Sequence, residues 1–107
     1  MDKLSAKDEI IQSLKDEMPY LKEKYGIEKI AIFGSYAKGN QKRRSDVDIL
    51  VQLTKPLGFA FIELADYIEN ILDRKVDLVT FDNLMRSKEN PRYQHIALDI
   101  ERTMIYV

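Results

Sequence analysis

Apolar positions recur at steps of three and four along the first quarter of the chain, then give way to short unbroken runs. Ile10, Ile11, Leu14, Met18, Leu21 and Tyr25 share one face of a helix predicted from Ser5 to about Tyr25. Ser5 followed by Asp8 predicts its N-cap, and Gly26 predicts a left-handed stop. Pro19 predicts a kink or an interruption, because it has no N–H for the carbonyl one turn back. Lys29–Phe33 (KIAIF) and Val47–Leu53 then read as apolar strands, and Lys75–Thr80 (KVDLVT) as a third. Between the last two, Phe61, Ala65, Ile68 and Leu72 mark a second amphipathic helix within Leu57 to Leu72. The tail predicts a helix near Pro91 to Arg102 and a short apolar end, Met104 to Val107. Helices alternating with apolar strands point to an α/β domain, one sheet covered by helices.

Composition narrows the chemistry more than the fold. At 107 residues, 45% hydrophobic and without a repeat or linker, the chain reads as a single domain, 1–107. A domain of this size buries roughly two-thirds of its unfolded surface, enough for a core without staples. The absence of Cys excludes disulfides and thiolate metal sites, and one His leaves almost no basis for zinc. Seventeen Lys and Arg against 18 Asp and Glu leave a net charge of −1, which gives no reason to expect nucleic acid as a partner. No apolar run approaches the roughly 20 residues of a membrane span, and MDKLSAKDEI is not the pattern of a signal peptide. The expectation is a cytoplasmic protein without membrane contact. Any chemistry falls to Asp, Glu, Ser, Tyr, Lys and Arg.

Two acids set into apolar strands are the informative feature. Asp46 and Asp48 are two apart, so on a strand both project to the same side, and Asp77 lies within a strand that can run beside theirs. Three carboxylates at one sheet end repel, by about 3–4 kcal/mol per pair at ~4–5 Å and an effective dielectric of ~20. Such a cluster makes sense if a cation binds there, and oxygen-only ligands with open positions suit Mg²⁺ and its retinue of water and phosphate. D-x-D alone, however, recurs by chance. Gly34-Ser35, directly after the KIAIF strand, adds a tight turn, close backbone approach and a hydroxyl donor suited to phosphate. By itself that too is an ordinary strand-to-helix turn. Lys38, Lys42, Arg43 and Arg44 either screen phosphate charge, steer RNA or DNA, or form a solvated loop. His95 reads as structural or exposed, Tyr36 as a base-stacking or core residue, and Tyr93 as one of several tyrosines open to modification.

Taken together, Gly34-Ser35, ten intervening residues and Asp46-Val47-Asp48 resemble the signature of the polymerase-beta-like nucleotidyltransferases, here GSYAKGNQKRRSDVDILV. The later KVDLV is similar to the strand that supplies that family's third carboxylate. The resemblance spans roughly Ile30 to Thr80, and the small size points to the minimal, single-domain branch found as antitoxins of HEPN-domain toxins. It implies an α+β fold with a mixed sheet covered by helices. It also implies Mg²⁺-dependent transfer of AMP from ATP onto a tyrosine of the HEPN toxin. In that scheme Gly34 and Ser35 hold the triphosphate, Asp46 and Asp48 bind two Mg²⁺ ions, and Asp77 completes the second site and helps deprotonate the attacking hydroxyl. Two alternatives stay open: an antitoxin that masks its partner without catalysis, and nucleotidyl transfer to a small molecule. An oligomer or hetero-oligomer is compatible with either.

Overall fold

Ser5 opens the first helix, its Oγ accepting the Asp8 N–H at 3.1 Å. The computed structural model describes residues 5–107, so the part of the N-terminal reading that rests on 1–4 lies outside the described residues. Helix α1 runs Ala6–Tyr25 and stops at Gly26, whose φ of 68° lets its N–H reach the Lys22 carbonyl. Pro19 does not interrupt it. The bond that proline cannot donate would go to Lys15, which is exposed and open to solvent, while the buried face of Ile10, Leu14 and Leu21 holds the helix together.

The remaining elements are β1 (Ile27–Phe33), α2 (Gly34–Lys38), β2 (Val47–Leu53), α3 (Ala60–Leu72), β3 (Val76–Thr80), α4 (Phe81–Glu89), α5 (Gln94–Thr103) and β4 (Ile105–Tyr106). The strands form one mixed sheet in the order β3-β2-β1-β4. β1 is antiparallel to both β2 and β4, and β2 is parallel to β3, joined by α3 as crossover. The expected mixed sheet covered by helices is the observed one.

Strand alternation divides the core in two. Ile30, Ile32, Val47, Ile49 and Val51 face α1 and α3, where they meet Leu14, Leu21, Leu64 and Ile68. Ala31, Phe33 and Leu50 face α4 and α5, where only Leu84 and Ala97 are fully buried with them. The predicted α3 stripe is displaced: Leu64 joins Ile68 and Leu72 in the core, while Phe61 and Ala65 are half-buried on the flank. Helix α4 was not expected. It buries Leu84 alone, too little for a periodic signal, and is started by Thr80, whose Oγ1 accepts the Asn83 N–H at 3.2 Å. The tail helix begins at Gln94, after a turn over 91–93.

Candidate active site

Gly34 stands where β1 hands over to α2, with φ at +71°. A side chain there is excluded twice, once by the backbone angle and once because a Cβ would overlap Oδ2 of Asp48. The contact follows from register. Phe33 pairs with Asp48 across β1 and β2, and Asp48 pairs with Asp77 across β2 and β3. Directly paired residues share a face, so Phe33, Asp48 and Asp77 all project toward the α4–α5 side. Asp46 lies one residue before β2 and is exposed. Its approach is set by a closed loop in which Ser45 Oγ accepts the Lys42 N–H at 2.8 Å and Ser45 N–H donates to the Lys42 carbonyl at 3.0 Å. The start of β3 is held in step by Glu69, whose Oε2 accepts the Val76 N–H at 2.9 Å.

The fields of the three acids meet at Asp48. Burial first, then Asp77, then Asp46, push its carboxyl from 3.8 up to about 6. Among the described residues no three His, Cys, Asp or Glu side chains are gathered tightly enough to hold a metal ion unaided. Like-charge repulsion favours that spread, and the donor set still fits a hard cation. The ligands are oxygen only and few, and the missing Cβ at Gly34 is what lets the Asp48 carboxylate lie directly against the turn.

On the Asp46 flank lies a cleft of about 730 Å³ lined by Tyr36, Arg43, Arg44, Arg74 and Lys75 as well as Asp46. The Arg74 guanidinium sits 5.8 Å from the centre of the Tyr36 ring. Tyr36 itself is buried, so of the two readings open to it the core one is met, with Arg74 over the ring. Arg74 and Lys75 escaped the sequence reading; their signal was a basic pair running straight into an acid-bearing strand, RKVDLV. Lys38 turns away to an ion pair with Asp99 at 3.1 Å. His95 is exposed on α5. A separate cleft of about 460 Å³, at the far ends of β2 and β3, contains none of the candidate residues.

The family model for the nucleotidyltransferase domain matches residues 9–106, covering both strands that carry the acids and the Gly34 turn. The chain belongs to the nucleotidyltransferase family. The nucleotidyltransferase is 49% identical over 85 residues to a Methanocaldococcus jannaschii protein provisionally named a protein adenylyltransferase, spanning 78% of this chain and 95% of that one. It is 38% identical over 101 residues to the protein adenylyltransferase MntA of Thermococcus cleftensis, covering 94% of each. Among solved structures, a toxin–antitoxin complex with AMP-PNP contains a chain that matches with a TM-score of 0.61 and 28% identity, over 94% of this chain and 70% of that one. No helix among the described residues is long and apolar enough to cross a membrane.

Proposed function

We propose that this nucleotidyltransferase is the antitoxin of a toxin–antitoxin pair and moves AMP from ATP onto a tyrosine hydroxyl of a HEPN toxin. The observation that carries the reading is the register Phe33–Asp48–Asp77, which sets two acids and the Gly34 cradle side by side on one face of the sheet. The protein adenylyltransferase name of the Thermococcus relative and the AMP-PNP of the toxin–antitoxin structure support it.

In this reading Gly34 N–H and Ser35 hold the triphosphate, at a turn whose missing Cβ brings the Asp48 carboxylate alongside. Asp46, Asp48 and Asp77 would hold two Mg²⁺ ions, whose chemistry there would be to neutralise the charge that develops on the phosphate oxygens. The tyrosine oxygen bonds to the α-phosphorus, the α–β bridging P–O bond breaks, pyrophosphate departs, and the phenolic proton passes to Asp77. Arg43, Arg44, Arg74 and Lys75 face the departing charge.

The test uses ATP labelled at the α- or the γ-phosphate, Mg²⁺, and the HEPN toxin of the same source. Label from the α-position alone on the toxin, lost with Asp77→Asn, is the expected result. Tight toxin binding with no label transferred replaces it with a masking antitoxin, and label only in small molecules with a small-substrate enzyme.

A further inference from the structure

Across the sheet end from the cation-lined cleft, a groove of about 270 Å³ opens between α4, α5 and the sheet. Buried Phe33, Leu50 and Leu84 line it together with exposed Tyr93 and Ile96 and with Asp77. We propose that this groove seats an apolar side chain flanking the acceptor hydroxyl of a protein substrate, so that Tyr93 and Ile96 select the acceptor beside Asp77. The inference rests on the transfer reading above and adds where the acceptor docks.

Direction of attack is the first argument. In-line displacement brings the nucleophile in opposite the leaving group. The Asp46 flank carries Arg43, Arg44, Arg74 and Lys75, the complement of a polyphosphate, so pyrophosphate leaves there. The acceptor then enters from the Asp77 flank, where the groove lies. Size is the second argument. Small-molecule pockets run to about 300–1,000 Å³ and enclose their ligand; this open groove holds one or two side chains. Lining is the third. It contains no Lys or Arg, which makes it a poor seat for a nucleotide or a nucleic acid, while Asn83 and Ser87 offer polar contacts to a peptide backbone. The lining residues Tyr93 and Ile96, 46% and 50% exposed, are the aromatic and aliphatic anchors that a protein partner covers. The reaction balances as before: the acceptor oxygen gains the α-phosphorus, the α–β bridge breaks, and the acceptor proton goes to Asp77.

The experiment compares wild type with Ile96→Glu, Tyr93→Ala and Ile96→Leu, using the HEPN toxin of the same source as acceptor and α-labelled ATP with Mg²⁺. Both positions are exposed, so thermal melts are expected to match wild type. The expected outcome is a KM for the toxin raised about tenfold or more in Ile96→Glu and Tyr93→Ala, an unchanged KM for ATP, and recovery in Ile96→Leu. Wild-type KM for the toxin in both disruptive variants overturns the groove while leaving nucleotidyl transfer standing. Absence of label with the wild type overturns the transfer reading itself, and the groove with it.

Discussion

Asp48→Asn should stabilise the metal-free protein at neutral pH and leave it unchanged in acid. Burial and the charges of Asp77 and Asp46 raise the Asp48 carboxyl from 3.8 to about 6. Between those values the unfolded chain has already released the proton that the native protein still holds. Native protein therefore binds more protons, and stability falls as pH rises through this window. Two units at about 1.4 kcal/mol each set an upper bound near 3 kcal/mol. Asp48 is only half-buried, so solvent screening reduces this to about 1–2 kcal/mol. Asparagine keeps the shape and removes the charge. The assay is urea unfolding in EDTA at about pH 3 and about pH 7.5, comparing midpoints at equal m-value. The difference between the two proteins should be close to zero at the lower pH and about 1–2 kcal/mol in favour of Asp48→Asn at the higher one. Added Mg²⁺ should then stabilise wild type alone, by about 1.4 kcal/mol at ten times its Kd. Equal stability at both pH values, or a variant weaker at neutral pH, would refute the claim that the three acids strain this sheet end.

Gly34→Ala should cost about 1–3 kcal/mol from the positive φ and the encounter with Asp48, and should abolish binding of a fluorescent ATP analogue in protein that still melts cooperatively. Leu14→Ala, at a fully buried position against the larger core, should cost about 2–5 kcal/mol by denaturant titration. The Tyr67 hydroxyl donates to Glu17 at 2.7 Å, and chiefly through that bond its ionisation is pushed up to about 12. Glu17→Gln removes the charge, so one of the six tyrosines should ionise at lower pH in a near-ultraviolet phenolate titration. Glu69→Ala frees the Val76 N–H at the start of β3 and should cost about 1 kcal/mol, with faster amide exchange at Val76.

The Gly34 turn, the three strands and the acids they carry were readable because each depends on local rules. An apolar run interrupted by an acid keeps its strand parity whatever surrounds it, so Asp48 and Asp77 could be placed on a strand without knowing their neighbours. What was not readable depends on tertiary contacts. Leu64 displaces Phe61 in the α3 stripe because the crossover sets the helix rotation, not the helix itself. Helix α4 rests on Leu84 and a threonine cap, below what periodicity can detect. Arg74 reaches the site only because β3 lies parallel to β2, bringing the end of α3 alongside Asp46. Lys38, a plausible phosphate partner by proximity in sequence, is drawn off by Asp99 from a helix 61 residues away.

The unequal division of the core also sets the order in which the molecule comes apart. Fully buried branched side chains of α1 and α3 grip one face of the sheet, whereas α4 and α5 hold the other by Leu84 and Ala97 and are tied to each other by the Lys88–Glu101 ion pair. The least costly excursion from the native state is thus a joint lifting of α4 and α5, with the sheet and its other cover intact. Because Asp99 on α5 ties back to Lys38 at the end of α2, that excursion also frees the short helix that follows the Gly34 turn. A partner seated between α4 and α5 would suppress it, so occupancy of that face would register as slowed amide exchange in the helix that follows Gly34.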